Sequence, residues 1–144
     1  CYGKGRMKDV RYVVGLAFKT ALVLAVLIIA AIYIWSDPIA SIFNSEKNPE
    51  LAAYAREGIR LYFIGFLFAG INIVGTSALS AVEAVRWAFT ASIMRGFVAI
   101  LIFAFALSAV FGMTGVWLAF PAAELVTMLL SLTGISKSIW AKCR

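Results

Sequence analysis

The chain contains no histidine. Without imidazole there is no Ser/His/Asp or Cys/His nucleophile pairing, and the commonest ligand of zinc and haem is missing. Cysteine is scarce as well. Cys1 and Cys143, at opposite ends, are the only two. Two such thiols make neither a disulfide framework nor a CxxC metal knuckle. Phosphate-cradling loops are absent too: no GxxxxGK[ST] and no GxGxxG occurs, so ATP-driven transport by this chain is not expected. These absences argue against an enzyme, a metal site and a cofactor. Charge is also sparse. Charged residues make up 14% of the chain, against about 25% in an ordinary soluble domain.

What fills the space is apolar. Of 144 residues, 63% are hydrophobic. A chain this short has too much surface for its volume to hide that fraction from water. A soluble globular domain and a disordered chain are both excluded. The remaining solvent is lipid. The formal net charge of +6 then reads as cytoplasmic anchoring of membrane helices and not as a nucleic-acid surface.

The few charges divide the chain into pieces of membrane-spanning size, about 20 residues each. Thr20 to Ser36 is uncharged; extended back through Lys19, it gives a first span at about 13–35. The 22 uncharged residues between Arg60 and Glu83 give a second, about 58–82. The 28 between Arg95 and Glu124 are too many for one span. Gly112-Met113-Thr114-Gly115 should break them in a tight turn, since paired glycines punctuate helices. That leaves spans at about 88–111 and 116–135. The runs are continuous and do not alternate, so they are helices and not barrel strands. The predicted fold is an all-α membrane protein with four transmembrane helices. The first span is too long for a signal peptide.

Four spans put both ends of the segment on one side. That side carries Lys4, Arg6, Lys8, Arg11, Arg86, Lys137, Lys142 and Arg144, while Lys47, Arg56 and Arg60 on the other stand beside acidic residues. The positive-inside rule makes the first side cytoplasmic. Lys19, about two turns into its helix, is expected to snorkel to the headgroups. In the outer loop, Asp37-Pro38 and Asn48-Pro49 read as N-caps followed by Pro at the first helical position. The first should open a short interfacial turn through Phe43. The second should open a helix running from Pro49 to about Val82, roughly 50 Å long.

Three features suggest more than anchoring. Gly65, Ala69, Asn72 and Thr76 recur at i, i+4, i+7 and i+11, a small and polar stripe on a greasy helix. Such a stripe marks either a packed helix interface or the lining of a cavity. Glu124 is the one carboxylate deep inside a span. It is either a structural group hydrogen-bonded between helices or a proton carrier. Arg95 is the obvious counter-ion. However, folding the hairpin about Met113 puts it level with Ser131, roughly 10 Å along the axis from Glu124. Arg95 is therefore expected to serve the cytoplasmic end and not to pair directly with Glu124. Pro121 should kink the fourth helix, because it frees the carbonyl of Trp117.

The runs RLYFIGFLFAGINIVGTSALSAVEAVRWAF (Arg60 to Phe89) and GVWLAFPAAELVT (Gly115 to Thr127) resemble the multidrug and toxic compound extrusion (MATE) family. YGKGRMKDVR (Tyr2 to Arg11) is similar to the loop before that family's ninth helix, and DPIASIFNSEKNPELAAYA (Asp37 to Ala55) to the connection between its ninth and tenth. The resemblance implies a segment of a twelve-helix, two-lobe transporter. Residues 1–144 would be its ninth to twelfth helices, within the C-terminal lobe of a bacterial cytoplasmic-membrane protein. It implies drug antiport against H⁺ or Na⁺, with cationic or amphipathic small molecules as cargo. The partners would be membrane lipid and the remaining helices of the same transporter. Tyr62, Gly65, Ala69, Asn72 and Thr76 would then line or support the cavity, with Arg95 and Glu124 as intramembrane anchors. Some branches of the family carry an acidic coupling residue on the tenth helix. The matching position here is Ala69, so coupling is expected to rest on carboxylates of the other lobe. The competing readings are a stand-alone four-helix exporter working as a dimer, with Glu124 as its proton carrier, a lipid-linked sugar flippase of similar fold, and a non-transporting membrane subunit.

Overall fold

The computed structural model describes residues 2–43 and 49–141. It is all-helical among those residues, with four helical spans long and apolar enough to cross a membrane: Met7–Ile34, Pro49–Ala81, Val85–Phe111 and Met113–Trp140. The proposed cap at Asn48, the terminal Cys1 and Cys143, and the charges of Glu46, Lys47, Lys142 and Arg144 lie outside the described residues. The cap at Asp37 concerns a side chain that is also outside them.

A 3₁₀ turn, Tyr2–Lys4, leads into α1, Met7–Ile34. The short α2, Ser36–Phe43, lies where an interfacial turn was expected. α3 runs from Pro49 to Ala81, opened by a proline whose missing N–H is no loss in a first turn. A tight connection follows, in which Glu83 takes a positive φ of 59°. The third span consists of α4, Val85–Ile93, a π-helical turn, Met94–Val98, and α5, Ala99–Phe111. α6, Met113–Ile135, continues into a second π turn, Ser136–Trp140. It passes through Pro121 as one uninterrupted helix.

The turn before α6 is tighter than the two glycines suggested. Gly112 alone makes it, at φ +59°, and Met113 is already helical. Gly115 does a different job. A Cβ there would overlap the Leu107 carbonyl, so the residue is small because α5 and α6 touch backbone to backbone.

α3 and α6 form the centre, running parallel with small residues along their seam. The Trp117 ring covers Gly58, Phe120 and Pro121 cover Gly65, and Ser131 covers Gly75. Lipid offers no hydrophobic drive for helix association, so close backbone approach and buried polar bonds must supply it. α1 packs against α3, and α5 against α6. At the end holding the N-terminus, Val10 and Val14 of α1 join Leu79, Val82, Ile135 and Ile139 in one apolar knot. Both ends of the described chain therefore meet on one side. Cations there sit over indoles: Lys137 lies 5.3 Å from the Trp87 ring and Arg11 5.7 Å from the Trp140 ring. At the opposite end Arg60 donates to Ser36 Oγ at 3.3 Å and lies over Tyr33 at 5.7 Å, tying α3 to the α1–α2 corner.

Candidate functional site

The site is built around Glu124, which is buried on α6. Arg95 Nε donates to its Oε1 at 2.7 Å. Asn72 Nδ2 donates to its Oε2 at 2.6 Å and to its backbone carbonyl at 2.8 Å. Both carboxylate oxygens are thus occupied, one by a charge and one by an amide. An ionised carboxyl in hydrocarbon is tolerable on those terms, because a buried charge must be paired and hydrogen-bonded. The three residues come from α3, α6 and the π turn, so the cluster also ties three helices together.

The direct ion pair corrects the expected separation of Arg95 from Glu124. The axial offset separates the two backbones, and the long guanidinium stem of Arg95 reaches across it. Arg95 also lies in the π turn Met94–Val98 and not in regular α-helix. A π turn is wider and re-aims the side chains it carries.

The other expected residues are partly brought together. Gly65, Ala69 and Asn72 are buried, and Thr76 is half-buried. Gly65 is covered by Phe120: a Cβ would lie 2.5 Å from its ring and 3.2 Å from Pro121 Cα. This part of the stripe is a packed seam with α6. Ala69 borders an apolar groove between α1 and α3, shared with Ala25, Phe66, Ile73 and Arg95. Thr76 borders a second cavity and donates to the Asn72 carbonyl at 2.8 Å. Tyr62 stacks on Phe120 with centroids 4.3 Å apart.

That second cavity, of about 380 Å³, opens beside the ion pair. Thr76, Ser92, Arg95, Gly96, Ile100, Phe120 and Glu124 line it. Arg95 and Phe120 border both spaces, so together they form the partition between a polar cavity and an apolar groove. Sequence reasoning missed Phe120, Ser92 and Gly96. Their signal was spacing: Phe120 is one turn before Glu124, and Ser92 and Gly96 flank Arg95 at i−3 and i+1. Asn72 Oδ1 is buried with no hydrogen-bond partner among the described residues. No group of metal-ligating side chains occurs among the described residues.

The MatE family model matches residues 1–106 of the 144. The chain belongs to the MatE family. It is a multi-pass membrane protein from a family of transporters, not enzymes. The match spans α1 through the first part of α5, including Tyr62 through Thr76 and Arg95. It ends before α6, so Glu124 and the run Gly115 to Thr127 stand outside the matched stretch. No curated protein and no solved structure matches the chain.

Proposed function

We propose that this MatE chain forms part of a secondary active multidrug exporter, moving cationic or amphipathic compounds out in exchange for H⁺ or Na⁺. In this reading it supplies the ninth to twelfth helices of a two-lobe transporter in a bacterial cytoplasmic membrane, with both ends of the segment inside. The observation that carries the reading is the buried Glu124, held by Arg95 and Asn72 at the wall of a cavity. The pair is neutral as a unit. A cation arriving in the cavity gains from Glu124 only by competing with Arg95, and a proton on the carboxyl weakens the same bond. One carboxylate with mutually exclusive partners suits an exchange cycle, so this reading moves Glu124 from the anchor the resemblance implied to a share in coupling beside any carboxylate of the other lobe. The apolar groove and the Tyr62–Phe120 stack offer flat hydrophobic surface to the rest of an amphipathic cargo.

The test is drug accumulation in cells carrying the intact gene, with Na⁺ and pH gradients varied separately. Glu124→Gln should impair efflux under the gradient that drives it. Efflux indistinguishable from the parent would remove Glu124 from the transport pathway. An intact gene that moves no drug under either gradient would leave the non-transporting reading.

A further inference from the structure

One charged surface plays no part in that scheme. On α1, Lys8, Arg11, Gly15 and Lys19 follow at i, i+3, i+7 and i+11, which stacks them along one helical face. With Tyr12 and Leu16 they line a shallow concavity of about 380 Å³. Gly15 makes its floor, since nothing lies within 4 Å of where a Cβ would stand. Lys8, Arg11 and Lys19 are all exposed. No carboxylate lines the concavity. The acid of the first turn, Asp9, is engaged instead by Arg6 at 3.2 Å.

Lys19 poses the sharper question. It stands roughly 16 Å along the axis from Lys8, inside a helix of membrane-spanning length. No described residue supplies it with an anion. A cation at that depth is costly unless an opposite charge comes to it. Arg11 is held in place, its guanidinium lying over the Trp140 ring at 5.7 Å. A guanidinium fixed by its face keeps its N–H edge for an oxygen acceptor. Beyond Lys19 the same face is apolar and exposed, with Val23 58% and Val26 52% accessible. The surface thus presents a column of cations along the N-terminal half of the helix and a greasy track beyond them.

We propose that this face of α1 binds the phosphate of an anionic phospholipid. Lys8, Arg11 and Lys19 hold the headgroup, Gly15 gives it room, and the acyl chain lies along Leu16, Val23 and Val26. Charge complementarity selects an anionic headgroup over a zwitterionic one, as basic membrane-proximal clusters do.

The full-length protein, reconstituted in vesicles, is tested with photoactivatable phosphatidylglycerol and phosphatidylcholine of identical acyl chains. Phosphatidylglycerol should label α1 between Met7 and Val26 preferentially. Lys19→Gln alone should lower that preference about fivefold, and the K8Q/R11Q/K19Q variant should abolish it. Labelling elsewhere on the protein and an unchanged helical circular-dichroism signal verify the fold. The single variant decides the matter if the triple one does not fold. Equal labelling by the two lipids, or a preference that survives the substitutions, overturns the proposal. So does an unlabelled segment, which would mean that protein covers the face. Loss of the preference in excess inorganic phosphate would reassign the site to a free anion.

Discussion

Asn72 gives both amide hydrogens to one residue: its Nδ2 reaches the Glu124 carboxylate at 2.6 Å and the Glu124 carbonyl at 2.8 Å. α3 and α6 are therefore joined at their centre by a side chain that spends its whole donor capacity on a single partner. Asn72→Ala leaves two buried acceptors short of a donor. That should cost about 1–3 kcal/mol. Thermal unfolding in detergent should show the loss as a lowered midpoint. Asn72→Asp sets a second carboxyl against Glu124 and should be more damaging than Asn72→Ala near neutral pH. A smaller loss for the aspartate would contradict the donor role.

The Arg95–Glu124 pair invites a double-mutant cycle. Breaking a fully buried ion pair from one side typically costs about 3–5 kcal/mol, because the other charge is stranded; here Glu124 is buried and Arg95 part-exposed, so losing Arg95 should cost more than losing Glu124. Arg95→Gln and Glu124→Gln should each destabilise the protein. The double variant should lose clearly less than the sum, with a coupling of about 0.5–3 kcal/mol. Additive losses would mean that the 2.7 Å contact does not hold the protein together.

Two glycines separate packing from conformational freedom. A methyl at position 115 would overlap the Leu107 carbonyl, a backbone group that cannot turn aside. At Gly96 the same methyl meets nothing within 4 Å. Gly115→Ala should therefore cost about 1–3 kcal/mol or more as an overpacked core does. Gly96→Ala should be close to neutral for folding. Unfolding midpoints of the two variants check the ordering.

Sidedness is open to direct labelling. Glu83 is exposed at the end shared by both termini, and Glu57, which accepts from Thr114, is exposed at the opposite end. Treated with a membrane-impermeant thiol reagent in intact cells, Glu57→Cys should react, and Glu83→Cys should react only after the membrane is opened. The reverse pattern would invert the orientation.

Much of the fold was legible because charge is expensive in lipid. Asp37, Arg60, Glu83, Arg95 and Glu124 divide a hydrophobic chain, and the gaps between them are set by bilayer thickness. The spans could be counted on that ground together with the glycine turn at Gly112, which divides the long gap between Arg95 and Glu124. The Gly65–Asn72 stripe was legible as a face for the same physical reason. What faced it was not, because the parallel register of α3 and α6 depends on side-chain shape. Trp117 fits over Gly58 and Phe120 over Gly65 only at one sliding position. The Arg95–Glu124 contact was hidden by an assumption of regular helix, which the π turn at Met94–Val98 breaks. Composition also carried no sign that Phe120 would border two cavities, since one phenylalanine among 11 looks like any other.

The central claim is that Glu124 stands in the path of exchange and not merely in the scaffold. The measurement that reaches it most directly is proton- or sodium-driven drug uptake into inside-out vesicles, where export runs inward, comparing the parent, Glu124→Gln and the R95Q/E124Q double variant. Each is checked first for equal insertion and helical content. Removing both charges relieves the stranded arginine, so the double variant should regain stability. It should regain no drug transport. Recovery of gradient-driven transport along with stability would contradict a role for Glu124 in exchange and assign the pair to architecture alone.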